Sequence, residues 1–500
     1  KMLEMDPQIE LVPPEFLGVL LAGFGNELTP LTSDHGDEAC PKALLPLANI
    51  PIVDYTLSWL DQAGVKDVLL ICPTIHRPAI SHHILSHPYA SLHVDIQSYE
   101  ETADSGVGTC TILRHFASRI PRDFILVPCD FIPPQSLPLT TLLNRFRVDS
   151  VSDGLVATTC WFTPTKAEKS TTPDEWGQIA PTTSIVWDRS SETLLYVDTA
   201  DDLDNNSEEV ELRMSLLAKY PRTSLSSNVQ DSHVYICKRS VLDVLHEKEH
   251  FDSFREEFLP WLCKVQYQRG KRQRYEHILA SSADGSQNTA LKHSTLGSVP
   301  SQHRTQHLSV NKSSATSAPQ SPNGVEGSIE PAPSLRVGLY VHPAGKGIIA
   351  RVNNIHSFME LNRHSLSSAS YALPTDPKDR ALIDQKAQIS GDTIIGQSTR
   401  IDERTTVKKS VIGRHCTIGK MVKIIGCVLL DHCVVEDGVK LDGCILGKNT
   451  KVGAKGELVR CVTQAGYEAA AGETFKNEKL EVSDWTAATD TATSDGEESD

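Results

Sequence analysis

Between Ile395 and Leu458, aliphatic residues return in steps of six, six and five, at Ile395, Ile401, Val407, Ile412, Ile418, Ile424, Leu429, Val435, Leu441, Leu446, Val452 and Leu458. A 17-residue period of this kind makes each coil out of three short strands and stacks equivalent positions into columns such as Ile395, Ile412, Leu429 and Leu446. One coil cannot bury its apolar face, whereas a stack of coils builds a continuous core. The repeat therefore predicts a parallel β-helix over residues 387–463. The next position in the aliphatic series is Thr463, so the solenoid is expected to end there. An acidic tail, residues 464–500 with Asp490, Asp495, Glu497, Glu498 and Asp500, is expected to follow. Such a tail suits either solvent or a basic partner.

The same register accounts for most of the late cysteines. Two positions before the aliphatics stand Thr399, Cys416, Cys433 and Thr450 in one column and Ser410, Cys427, Cys444 and Cys461 in another. Column neighbours sit roughly 4.8 Å apart, whereas zinc needs ligands converging within about 2.3 Å of one ion. These thiols read as packing, and no metal site is expected. The other seven, Cys40, Cys72, Cys110, Cys129, Cys160, Cys237 and Cys263, are scattered, and no C-x-x-C occurs. In a reducing compartment they are small buried hydrophobes.

Upstream of the repeat, aliphatic runs alternate with amphipathic stretches from Phe16 to Val127, the pattern of a mostly parallel sheet covered on both faces. An α/β domain is predicted over residues 16–274, after a flexible N-terminus at residues 1–15. Residues 275–334 are rich in Ser, Thr, Gln, Asn, Gly and Pro without an apolar period, and read as a disordered linker or insertion. A strand and a helix within residues 335–380 are expected to complete the α/β domain and lead into the solenoid. No apolar run reaches the roughly 20 residues of a membrane span, and no secretory leader is recognisable. A soluble, cytosolic protein without membrane contact is expected. The excess of 64 acidic over 48 basic residues, a net charge of −16, argues against a nucleic-acid binder. The basic run Arg269, Lys271, Arg272 and Arg274 reads as a solvated helix end.

The first strand runs into Leu21-Ala22-Gly23-Phe24-Gly25-Asn26-Glu27-Leu28-Thr29-Pro30-Leu31-Thr32, with Pro41-Lys42-Ala43-Leu44-Leu45-Pro46 shortly after. Glycines at a strand-to-loop junction let backbone N–H groups approach phosphates, and a lysine supplies a point charge. This order resembles the nucleotide-sugar pyrophosphorylase family, as do Gly106-Val107-Gly108-Thr109, Val127-Pro128-Cys129-Asp130 and His233-Val234-Tyr235. The resemblance implies a Rossmann-like nucleotidyltransferase fold, a base-side loop at Gly108 and Thr109, and a magnesium-binding role for the Asp130 position. It also implies a catalytic arginine where this chain has Glu27, and a glycine where it has Phe24. A carboxylate there repels a polyanion that a guanidinium would hold. Gly23, Gly25, Glu27, Lys42, Gly108, Thr109 and Asp130 are therefore expected to line a degenerate nucleotide pocket with no catalytic residue. Asp130 would be vestigial as a metal ligand, with no second acidic partner placed in residues 231–257. No cofactor is required on this reading, and vestigial nucleotide binding is left open.

A pyrophosphorylase-like domain lacking that arginine, followed by hexapeptide repeats, resembles the pyrophosphorylase-like subunits of eukaryotic translation initiation factor 2B. Further stretches carry this resemblance: Asp231 to Leu242, Ser253 to Gln266, and Ile349 to Asn353 through Leu361-Asn362-Arg363. It implies a left-handed parallel β-helix for the repeats. Only about 40 residues follow the solenoid, too few for the additional helical-repeat domain that marks the epsilon type, so the gamma type fits better. The resemblance implies a non-catalytic subunit of a guanine-nucleotide exchange factor. It would bind the epsilon subunit directly, join the alpha, beta and delta subunits in a larger assembly, and help hold initiation factor 2 as substrate. The alternative is an active sugar-nucleotide synthase of the mannose-1-phosphate guanylyltransferase type.

Overall fold

The computed structural model describes residues 14–34, 39–86, 91–100, 106–164, 183–199, 212–280, 335–343, 345, 347–368, 374 and 376–482. The N-terminal segment, most of the Ser-rich segment and the end of the acidic tail lie outside the described residues. In the α/β domain the strands are β1 (Phe16–Leu21), β2 (Asp67–Pro73), β3 (His93–Tyr99), β4 (Asp123–Pro128), β5 (Leu155–Phe162), β6 (Thr183–Asp188), β7 (Thr193–Val197), β8 (Thr223–Cys237) and β9 (Arg336–His342). They form one sheet in the order β3-β2-β1-β4-β8-β5-β9-β7-β6. The first four pair in parallel, with Leu20 opposite Leu70 and Val127. Strands β1, β2 and β4 carry continuous aliphatic runs because both faces are covered, which leaves no side to be polar, whereas the edge strand β3, HVDIQSY, is only half-buried. Strand β8 then runs antiparallel to both β4 and β5.

The helices used below are α1 (Ile52–Gln62), α2 (Met214–Lys219), α3 (Ser240–Glu247), α4 (Leu259–Tyr267), α5 (Arg269–Ala280) and α6 (Ile355–Ser368). The domain does not stop near Arg274. Helix α5 continues to Ala280, with Tyr275 and Leu279 in the core and the Tyr275 ring edge-on to Trp261 at 5.0 Å. Its apolar positions are Tyr275, Ile278 and Leu279, one short i, i+3, i+4 set behind a basic run, too brief to register as a helical period.

The C-terminal sheets form a β-helix in which residues 17 apart pair in parallel, Ile401 with Ile418 and Ile418 with Val435. The inward columns, from Ile401 to Leu458, share one core with Cys416, Cys427, Cys433, Cys444 and Cys461. The thiols donate to carbonyls, Cys416 Sγ to Leu430 O at 3.3 Å and Cys433 Sγ to Gly447 O at 3.2 Å. The solenoid does not end at Thr463: one more coil follows, with strands at Glu468–Ala469, Thr474–Lys476 and Lys479–Leu480. Thr463 is tolerated in an aliphatic column because its hydroxyl accepts from Gly447 N at 2.8 Å and pairs with Thr450 Oγ1 at 2.9 Å. A buried hydroxyl with both roles satisfied carries little desolvation penalty. The segment taken as the start of the tail is therefore the last coil.

One outer face of the solenoid is apolar. Val411, Val428, Ile445 and Val462 stand beside the inward column and are buried against α6 and the loops after β1, in a cluster with Leu28, Leu47, Ile355 and Phe358. Polar contacts fix the join: Asn49 Nδ2 donates to Ile412 O at 2.8 Å and Arg414 Nη2 to Asn49 O at 3.0 Å. Fully burying each such aliphatic side chain stabilises by about 1.5–3 kcal/mol, so α/β domain, α6 and solenoid form one body.

Candidate nucleotide pocket

The loop leaving β1 turns at Gly25, whose φ of +87° suits glycine. A Cβ there would stand 2.8 Å from Lys42 Cβ, so Gly25 is also the surface on which the Lys42 stem rests. Lys42 is buried, as is Asp130 at the end of β4, and Lys42 Nζ donates to Asp130 Oδ2. The structure thus brings Gly25, Lys42 and Asp130 together. Gly23 and Glu27 lie exposed on the same loop, and among the described residues Glu27 makes no ion pair. Phe24 packs on the His76 ring, 4.7 Å between centroids.

Arg351, absent from the sequence-based set, completes this centre. It lies on a two-residue strand, Ala350–Arg351, that pairs antiparallel with Phe131–Ile132 immediately after Asp130. Val352 N donates to Asp130 O at 2.9 Å, holding the strand in register. From there Arg351 Nε donates to Asp130 Oδ1 and Nη2 to Oδ2, each at 3.0 Å. Burial alone would raise the Asp130 pKa, but Arg351 and Lys42 hold it well below the usual carboxylate range. In return Asp130 raises the pKa of Arg351 despite its burial. The only sequence signal for Arg351 was its place in the stretch from Ile349 to Asn353.

Around this centre lies a second buried carboxylate, Asp231, at the start of residues 231–257. Asp231 pairs with Arg255 Nε at 3.1 Å and accepts from Tyr235 Oη at 2.5 Å and from His233 N at 2.8 Å. Burial lifts its carboxyl above the ordinary value while Arg255, Tyr235 and His233 oppose. His233, at φ +56°, is pushed well below its ordinary value by burial and then by Arg351 and Arg255. It is neutral among cations.

Gly108 and Thr109 meet a different part of the chain. A Cβ on Gly108 would fall 2.1 Å from Asp252 Cγ, so Asp252 lies directly on the glycine. Cys110 N donates to Asp252 O at 2.8 Å, and Phe254 N donates to Thr109 Oγ1 at 2.8 Å. The loop that the resemblance implies for base recognition is covered by residues 252–254.

A magnesium ion of the kind that family uses does not fit these residues. Both oxygens of Asp130 are taken by cations, and Asp231 is taken by Arg255. A hard divalent ion needs free oxygen ligands. What the arrangement does chemically is occupy its own cations: Lys42 and Arg351 both donate to Asp130, so neither stands clear of that carboxylate to meet a triphosphate.

Comparison with known proteins agrees with the fold. Residues 17–169 match the family model described as Nucleotidyl transferase, and residues 377–468 match the EIF2B subunit epsilon LbH domain. The chain is thus a nucleotidyl transferase domain carrying a left-handed β-helix. It is homologous to proteins named translation initiation factor eIF2B subunit gamma. To that of Schizosaccharomyces pombe it is 29% identical over 476 residues, 95% of this chain and 91% of the relative. To that of Dictyostelium discoideum it is 25% identical over 411 residues, 76% of this chain and 83% of the relative. The epsilon subunit of Dictyostelium discoideum is 25% identical over 244 residues, which span only 32% of that protein.

Proposed function

We propose that the chain is a non-catalytic subunit of the guanine-nucleotide exchange factor for translation initiation factor 2. It pairs with an epsilon subunit, joins alpha, beta and delta subunits, and supports GDP release through assembly and substrate binding in the cytosol. Its likeness to gamma subunits over nearly their whole length supports the assignment. Among the described residues no helix is long and apolar enough to cross a membrane. The observation that carries the non-catalytic part is the saturation of Asp130 by Arg351 and Lys42. Nucleotidyl transfer depends on positioned cations and a metal at the phosphates, and here the cations are spent on an internal carboxylate. Glu27 and the Asp252 cover over Gly108 act in the same direction. No cofactor is needed for such a role.

The test is the native mass and subunit composition of the chain purified at endogenous level under gentle salt. A heteromeric complex containing an epsilon-type subunit is expected; a lone chain or a homo-oligomer overturns the assignment. A second assay supplies GTP, mannose 1-phosphate and magnesium and measures pyrophosphate. No release is expected, including from Glu27→Arg, since Phe24, Arg351 and Asp252 remain. Turnover by either protein overturns the account of the pocket.

A further inference from the structure

The chain is acidic overall, at net −16, yet one face of the α/β domain is cationic. The sequence alone makes the run from Arg269 to Arg274 a solvated helix end. What changes that reading is convergence from other elements. Helix α4 packs against both α2 and α5, and α3 against α5. Lys264 on α4, Lys271 on α5, Arg213 before α2 and Lys248 after α3 consequently share one field. Lys271 is pushed below its ordinary value by burial and then by the charges of Lys264, Arg213 and Lys248. Lys248 Nζ lies 5.2 Å from the Tyr275 ring centroid, and the Arg274 guanidinium lies 5.6 Å from it. Among the described residues, none of Arg213, Lys248, Lys264, Lys271 and Arg274 is paired with a carboxylate, whereas neighbouring Arg272 reaches Glu276 at 3.6 Å. Like charges gathered without counter-charge raise the energy of the folded state, and an anion from outside relieves them.

We propose that the α2–α4–α5 face docks an acid-rich polypeptide segment of a partner protein. The extent of the patch favours a peptide over nucleic acid. The 12 residues of α5 extend about 18 Å, which an extended peptide covers with about five or six residues. A longer phosphodiester would run off this patch onto a chain of the opposite charge preference. The inference does not depend on the exchange-factor assignment.

The test uses the full chain and two fluorescent probes of matched net charge, an alternating Asp/Glu peptide of about twelve residues and a single-stranded RNA, read by anisotropy. The peptide is expected to bind, more weakly as salt rises through the range where the Debye length falls below about 10 Å. The double variant Lys264→Gln/Lys271→Gln is expected to weaken it about tenfold, and Lys264→Glu/Lys271→Glu further. The Gln pair guards against a folding defect, and a thermal midpoint no lower than that of the wild type establishes that it is folded. Absence of peptide binding, tighter binding of the RNA, or unchanged affinity in both variants overturns the proposal.

Discussion

Replacing Arg351 with methionine keeps the stem's volume and removes the guanidinium that both Asp130 oxygens accept from. Asp130 is 1% exposed and keeps Lys42 as its remaining partner. Breaking a buried ion pair from one side costs about 3–5 kcal/mol. With Lys42 still in place and the Arg351 side chain 19% exposed, a loss just below that range, about 2–3 kcal/mol, is expected. Asp130→Asn leaves two cations facing a neutral amide, and the double variant Asp130→Asn/Arg351→Met removes the pair. A double-mutant cycle by chemical denaturation at neutral pH should return a coupling of about 2 kcal/mol. The pH dependence has a definite sign. The folded Asp130 pKa is depressed, so its contribution is fully present above the unfolded carboxylate value of about 3.9. It is lost only as pH falls from there toward the folded value. The variant also tests the internal cation as the reason a metal does not fit. Manganese should raise the thermal midpoint of Arg351→Met, where an Asp130 oxygen is released, and leave the wild type unmoved. A coupling under about 0.5 kcal/mol, or an equal manganese effect on both proteins, refutes the reasoning.

Three further outcomes follow from local geometry. Gly25→Ala puts a methyl on Lys42 at a positive φ and should cost about 1–3 kcal/mol, measured by denaturation against a Gly23→Ala control that meets nothing within 4 Å. His233 is neutral when folded and takes up a proton when unfolded below about pH 6.5. Stability should therefore fall with pH below that value, by up to about 1.4 kcal/mol per unit. His233→Asn, which tolerates the left-handed backbone, should flatten that slope in thermal melts between pH 5 and pH 7. Val428→Glu buries a charge between solenoid and α6 and should loosen the join, seen as new protease cleavage between residues 368 and 388. An unchanged digest would show that the apolar face is not what holds the two parts together.

The β-helix was legible because a 17-residue period has few other structural solutions, and the parallel strands because burial on both faces leaves unbroken aliphatic runs. Lys42, Gly25 and Asp130 could be placed from local motifs. Arg351 could not: a single arginine more than 200 residues from its carboxylate in the chain carries no periodic or motif signal of its own. The last coil was missed because Thr463 looks like a failed aliphatic until its hydroxyl partners are known. The buried outer face did leave a trace. One column reads Val411-Ile412, Val428-Leu429 and Ile445-Leu446, doubled at each coil, whereas another reads Arg400-Ile401, Thr417-Ile418, Val434-Val435 and Lys451-Val452, doubled once, with Val434 exposed. Doubling repeated from coil to coil marks the face that meets another body.

Strand β9 lies between β5 and β7 in the middle of the sheet, yet it is encoded after residue 335, more than 130 positions beyond β7. During synthesis the sheet is therefore left with an open slot while the intervening residues emerge. Over those residues that wait is roughly 7 to 28 s at ordinary elongation rates of about 5–20 residues per second. The exposed strand edges of β5 and β7 must be shielded through that interval. A nascent chain stalled short of residue 342 should be an open-edged, aggregation-prone species, so expression of this chain depends on what accompanies it on the ribosome as well as on its final stability.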